Sequence, residues 1–214
     1  MYVPPPYLET RRSVLLAAIE ARSFGTLITA LDGEIMISHL PFAVAGEAGA
    51  ETLIAHLARS NPQWRAIAAG ATALASFLLD DAYISPGWYP SKAETGRVVP
   101  TWNYVAVEAR GPMALVETGP ELLALVDKLT GRHESGREHP WSTSDAPAEF
   151  TAALLNGIVG VRMTIEALTG AWKLGQKKRP EDRDGAARGL SAEGASLASL
   201  MRAGRAPVGD EAAA

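Results

Sequence analysis

The 214-residue chain contains no cysteine. That absence excludes disulfides, zinc–thiolate centres, iron–sulfur clusters and a cysteine nucleophile. Long hydrophobic runs are missing too, and none approaches the roughly 20 residues of a membrane-spanning helix. The opening residues, MYVPPPYLETRR, lack the basic-then-apolar order of a secretory leader. A cytoplasmic protein is the expectation. Positive charge is scarce, with 20 Lys and Arg against 24 Asp and Glu and a formal net charge of −4. Broad nucleic-acid affinity usually needs a basic face, so DNA binding is not expected. The one basic cluster, Lys173, Lys177, Lys178 and Arg179 with Arg183 and Arg188 beyond, is interrupted by Glu181, Asp182 and Asp184. It reads most simply as a solvated helix start.

Several sequence signatures are absent as well. No G-x-G-x-x-G follows a strand, and there is no P-loop and no G-x-S-x-G elbow. The four histidines, His39, His56, His133 and His139, have neither H-x-H nor H-x-x-x-H spacing, which argues against a metal site. Ser85 and Ser91 lie near Lys92 without a positioned partner, a weak signal for a nucleophile.

What the chain does have is the stretch from Tyr83 to Tyr104, YISPGWYPSKAETGRVVPTWNY. Tyr83, Trp88, Tyr89, Trp102 and Tyr104 sit among three prolines and two glycines. Each buried ring removes roughly 150–250 Å² from water, while Pro and Gly forbid a helix through most of the stretch. Strand-like sequence flanks it. It reads as a long ordered loop, either functional or a rigid plug at one end of a barrel.

Elsewhere the periodicity alternates between helix and strand. Leu8–Ser23 reads as a helix. Phe24–Leu31 and Glu34–Phe42 flank Asp32-Gly33, a dipeptide suited to a tight hairpin. Glu51–Leu57, Ala71–Leu79, Asn103–Arg110, Pro112–Glu117 and Ile158–Leu168 read as strands. Asn61-Pro62 opens a short helix to Ala68, with Asn61 as N-cap and Pro62 at the first position. Thr118-Gly-Pro-Glu121 has capping-box spacing before a helix to His133, and Pro147–Asn156 is a further short helix. Trp172–Gln176 follows a break at Gly170. Residues 1–190 are expected to form one domain. An Ala/Gly/Arg-rich tail over 191–214 is expected to be partly disordered, most of all from Pro207. Six or so strands with peripheral helices argue for an α+β fold built on a β-barrel.

His56-Leu-Ala-Arg59-Ser60-Asn61-Pro-Gln-Trp64 is the second informative stretch. A strand ends where Arg, Ser and Asn precede a helix, and free N–H groups beside an arginine suit a phosphate. The alternative is ordinary capping by Asn61 with Arg59 in solvent.

The segments ISHLPF, HLARSNPQW, DAYISPGWYPSKAETGRVVPTWNY, RHE and WKLGQ together resemble the PaiB family of FMN-binding split-barrel proteins, over Met1 to about Leu190. The resemblance implies a six-stranded split barrel with peripheral helices and a homodimer with FMN at the subunit interface. Ser38, His39, Leu40 and Pro41 resemble the strand along the flavin edge. His56, Leu57, Arg59, Ser60 and Asn61 resemble the phosphate cluster, with Asn61 where the related oxidases carry a lysine. Lys92, Trp102, Asn103, Lys173 and Gln176, in the other shared motifs, are implied as further cofactor contacts. The implied role is a flavin-dependent oxidoreductase or flavin-handling protein, with catalytic residues unassigned and the small-molecule substrate unknown. The alternative is a negative transcriptional regulator that uses the barrel as a sensory or interaction scaffold, since the family name comes from proteins so described. No helix-turn-helix with a basic recognition helix accompanies it.

Overall fold

A computed structural model describes residues 1–203. The stretch from Pro207, expected to be disordered, lies outside the described residues.

In chain order the elements are β1 (Leu8–Glu9), α1 (Arg12–Arg22), β2 (Phe24–Leu31), β3 (Glu34–Pro41), β4 (Ala43–Ala45), β5 (Thr52–Ala58), α2 (Gln63–Ala68) and β6 (Thr72–Ile84). They continue with α3 (Ser91–Thr95), β7 (Thr101–Gly111), β8 (Met113–Val116), α4 (Gly119–Glu134), α5 (Ala148–Leu155), β9 (Ile158–Thr164), β10 (Ala167–Lys173), α6 (Pro180–Ala192) and α7 (Leu197–Ala203). One sheet has the order β1-β10-β7-β6-β2-β3 and a second the order β4-β5-β9-β8. The class is α+β, as expected, with ten strands among the described residues, six of them in the larger sheet. The chain divides into two compact units, and α1, β6, β7 and β10 each run from one into the other.

The first unit comprises Met1–Ala18, Leu78–Glu108 and the chain from Thr169. Here α1 begins later than its periodicity suggested. Leu8 and Glu9 pair with Ala171 and Gly170 of β10, and Glu9 Oε1 accepts from Thr10 N and Arg11 N at 3.0 and 2.9 Å. Those bonds satisfy amides at the helix entrance. Gly170 does not break the chain. It sits inside β10, where a Cβ would lie 2.4 Å from Leu15 Cδ2, so glycine is what lets α1 approach the strand. The aromatic loop is shorter than expected, because β6 extends to Ile84 and β7 starts at Thr101. Between them stand a 3₁₀ turn at Pro86–Trp88 and the five-residue α3. Trp88 lies on α6, whose Gly185 and Gly189 leave room for it: added Cβ atoms would fall 2.1 Å from Trp88 O and 2.3 Å from its ring. The Ala- and Gly-rich sequence after Arg179 is thus helix, and Leu197, Ala198 and Met201 of α7 are buried.

The second unit comprises Ile19–Phe77 and Ala109–Leu168. β2 and β3 form the expected hairpin, paired from Phe24↔Pro41 to Leu31↔Glu34, with Asp32 and Gly33 at positive φ. Beneath it Phe42 and Phe77 meet edge-on at 5.3 Å. β4, unexpected from its short Ala-rich sequence, pairs with β5. The apolar stripe of α4 closes over Ala43, Ile54 and Val116 through Leu125 and Leu129. The expected capping box at its start takes a different form, in which Thr118 Oγ1 donates to Glu121 Oε2 at 2.9 Å and no side chain caps the backbone. Among the described residues no helix is long and apolar enough to cross a membrane.

Candidate functional site

Side chains alternate across a strand, and the β2–β3 register sorts the hairpin into two faces. Phe24, Thr26 and Ile28 stand opposite Pro41, His39 and Ile37 on one face. Phe24, Ile35 and Ile37 are 51%, 66% and 60% exposed there. The Phe24 and His39 rings stack at 6.5 Å with an interplanar angle of 29°. His39 Nδ1 and Thr26 Oγ1 share a hydrogen bond of 3.1 Å, which fixes the imidazole against the sheet. β3 is the last strand of its sheet, a position that ordinarily presents unpaired backbone groups. The face therefore offers an apolar, aromatic plane with a polar margin.

The other face holds Ser38, Leu40 and Met36. Asn61 Nδ2 donates to Ser38 Oγ at 2.8 Å, and Asn61 Oδ1 accepts from Gln63 N at 3.0 Å. Asn61 takes up the Gln63 amide, but it is not the N-cap expected: α2 starts at Gln63, one residue later, with Pro62 at the N-cap position and no side chain capping from there. Gln63, which the sequence reading overlooked, is 1% exposed. Its Nε2 donates to Leu27 O, Thr29 Oγ1 and Met36 O at 3.3, 3.2 and 3.1 Å, pinning both strands of the hairpin. Its Oε1 is buried without a partner.

Arg59 is exposed, but its guanidinium is occupied and not aimed at an empty anion cradle. Its Nε and Nη2 donate to Asn156 O and Ile158 O, both at 3.0 Å, and Nη1 lies 3.7 Å from Glu117. Its side chain remains 43% exposed, so these contacts are exchangeable. Ser60 is exposed in the turn. His56 pairs with Gly160 on β9 and shares the α4 face of β5 with Ile54, while Leu57 is fully buried on the opposite face. Burial pushes the His56 imidazole below its ordinary 6.5. Within this unit the structure brings Ser38 directly to Asn61 and sets His56 on the α4 face.

Lys92, Trp102, Asn103, Lys173 and Gln176 fall in the first unit. Lys173 Nζ donates to Thr101 Oγ1 and Trp102 O at 2.7 and 2.6 Å and lies 5.8 Å from the Tyr104 ring centre. Asn103 is buried, its Nδ2 3.4 Å from Met201 Sδ. Gln176 folds back on its own turn, accepting from Leu174 N and donating to Trp172 O. Trp102 is exposed and meets Tyr83 edge-on at 6.0 Å. Lys92 is exposed on α3.

The polar pair Ser91–Asp182 carried no sequence signal, because its members are 91 residues apart. Asp182 Oδ1 and Oδ2 accept from Ser91 N and Oγ at 3.0 and 2.7 Å. Burial pushes the Asp182 carboxyl up, but the Ser91 bonds, with Arg179 and Lys178, outweigh it and hold the group below its ordinary value. Ser23 and His133 also meet, at 3.2 Å. Ser23 is only 4% exposed, which suits a tie between the α1–β2 junction and α4 and not a nucleophile. A cavity of about 610 Å³ beside Leu123, Asp127 and Thr151 contains none of the residues singled out from the sequence, and its carboxylate, Asp127, accepts from Thr143 Oγ1.

Comparison with solved structures defines the class first. The FAD and heme binding protein of Mycobacterium smegmatis superposes with a TM-score of 0.58 at 19% identity, covering 78% of this chain and 73% of its own. The flavocytochrome Anf3 of Azotobacter vinelandii gives 0.51 at 14% identity, covering 82% and 74%. The fold is that of the flavin-binding split barrels. The family described as "Putative FMN-binding domain" matches residues 1–167. The "protease synthase and sporulation protein PAI 2" of Bacillus subtilis is 30% identical over 182 residues, 85% of each chain. The chain belongs to this PaiB family of FMN-binding-domain proteins.

Proposed function

We propose that this protein binds FMN as a cytoplasmic homodimer and acts as a flavin-dependent oxidoreductase or flavin carrier. The observation that carries the reading is the exposed face of the β2–β3 hairpin, where Ile35 and Ile37 share a face with a His39 ring stacked on Phe24 and held by Thr26. A flavin ring system has a wide apolar face and polar edges, and this donor set fits it. Thr26 and His39 supply side-chain polar groups beside an apolar plane, and the edge of β3 supplies backbone ones. The Ser38–Asn61 pair orients the turn into α2. Arg59 and Ser60 are the groups for the phosphate, and Arg59 would exchange its partly exposed contacts with Glu117 and the Asn156–Ile158 turn for a phosphate oxygen. When bound, flavin supplies hydride and single-electron transfer. The family description favours FMN over FAD.

An exposed apolar sheet face of this kind is normally covered by a partner, and a second copy of the chain is the proposed cover. Sedimentation of the wild type at micromolar concentration is expected to give twice the chain mass. Ile37→Glu is expected to shift it to monomer and release flavin together with the dimer. The flavin reading itself is tested by the visible spectrum at about 450 nm before and after NAD(P)H, with chromatography of the released cofactor. Protein that stays colourless after incubation with FMN overturns it.

A second reading, transcriptional regulation, rests on the resemblance to the PaiB family, whose Bacillus relative is named a protease synthase and sporulation protein. The net charge of −4 speaks for regulation through flavin, a metabolite or a protein partner and against base readout. Nanomolar, sequence-specific mobility shifts that survive competitor DNA at physiological salt would reverse that order.

A further inference from the structure

The basic cluster divides. Arg179 and Arg188 are exposed at the start of α6 and along it, as expected, whereas three lysines converge on one small cavity of about 170 Å³. Lys173, from the end of β10, reaches it with its ammonium held by Thr101 Oγ1 and Trp102 O. Lys177 and Lys178, from the turn that follows, lie 5.7 Å from the Tyr7 ring centre and 4.7 Å from that of Tyr89. These cation–π contacts splay the two ammonium groups along the aromatic walls. The turn carrying them is rigid. Gly175 adopts φ +83, Lys178 N donates to Gly175 O at 2.9 Å, and Gln176 bonds back to Leu174 and Trp172.

No carboxylate lines this cavity among the described residues. Asp182 acts on Tyr89 and Lys178, but both of its oxygens are committed to Ser91. It offsets at most one of three positive charges. A further cation is close by: the Arg183 stem lies against the Gly175 turn, and its buried Nε has no hydrogen-bond partner. Burial alone pushes Lys173 below its ordinary value, the direction that an anion would reverse. Cofactor and drug-sized pockets usually enclose about 300–1,000 Å³, so this space is too small for a flavin ring system and suits a compact anion.

We propose that the cavity formed by Tyr7, Tyr89, Thr101, Lys173, Lys177 and Lys178 is a binding site for a phosphate-sized oxyanion, so that Lys173 serves this anion in place of the flavin contact that the family resemblance implies. Lys177 and Lys178 supply charge-assisted donors. Thr101 Oγ1 accepts from Lys173 and donates only a long 3.4 Å bond to Trp102 O, so its proton can turn to the anion. The ligand is free phosphate or the phosphate end of a small metabolite.

The test is a calorimetric and thermal-shift titration of the full, flavin-loaded chain with inorganic phosphate, and with phenyl phosphate for the metabolite case, against chloride at matched ionic strength. Flavin absorbance is recorded throughout. Saturable binding is expected with the flavin spectrum retained. Binding should weaken by about tenfold or more in Lys177→Ala/Lys178→Ala. Lys128→Ala, a change on α4 of the other unit, should leave it unaltered. Tighter binding of phenyl phosphate than of phosphate would assign the metabolite source, and equal or weaker binding the free ion. Titration with no saturation, equal binding by the double-lysine variant, or release of flavin in proportion to added phosphate would each overturn the proposal.

Discussion

Ser91 and Asn61 look alike in sequence, each a small polar residue at the entrance to a short helix, yet their surroundings make them opposites. Ser91 is 7% exposed and its partner Asp182 5%, and two direct bonds close the pair. Asn61 and Ser38 are partly exposed, and the neighbouring Arg59 is held by two backbone carbonyls and one distant carboxylate. Hydrogen bonds to a charged group out of water are strong, and removing one partner strands the other. Bonds at the surface exchange with water at little cost. The first arrangement is a lock, and the second is a site whose contacts can be traded for a ligand.

The sharpest way to break this contrast is to disturb the lock. Gly185→Ala would set a Cβ 2.1 Å from Trp88 O, a backbone atom that cannot rotate away, and α6 would lose its seat. We expect a loss of about 3 kcal/mol or failure to fold, read by chemical denaturation. Asp182→Ala should cost slightly less, about 2–3 kcal/mol, because Ser91 N and Oγ lose a charged acceptor without a clash.

The acid limb of stability sharpens the same point. Asp182 is held below its ordinary value of 3.8, so in the unfolded chain it binds a proton more readily than in the fold. The stability it contributes is complete above that ordinary value and is lost as pH falls through the lower, folded one. Below about pH 4 the wild type should lose stability more steeply than Asp182→Asn, measured by urea midpoints from pH 5 to pH 2.

Changes in the second region should move binding and leave folding nearly intact. Arg59→Ala and Asn61→Ala are each expected to weaken FMN affinity by about tenfold with stability altered by less than about 1 kcal/mol. Flavin titration beside a denaturation curve separates the two effects. A large stability loss with unchanged flavin affinity would make Arg59 a strut between the start of β9 and the end of β5. The smallest expected effect concerns His56. Its folded value lies below 6.5, so the unfolded chain takes up its proton first, and stability should decline gently as pH falls below about 6.5. His56→Gln should flatten that slope in the same pH series.

Much of the hairpin and helix pattern was determined by the sequence alone. Asp32-Gly33 supplies positive φ where the β2–β3 turn needs it, and the 3.6-residue stripe of α4 places Leu122, Leu125 and Leu129 on one buried face. These are local properties, set by a few consecutive residues. The helix start after Asn61 was legible for the same reason, whereas a role for His39 came only from the family resemblance. Boundaries were decided by the fold: Leu8 and Glu9 read as helix until β10 offers them a strand partner, and β4 is too short to be seen without β5. The identity of polar partners also belongs to tertiary structure. Nothing near Ser91 announces Asp182, and nothing in WKLGQ announces Tyr7 or Tyr89. A hydrogen bond or a ring stacked under an ammonium depends on distance in space, and chain order specifies that distance only after packing has closed the loops between.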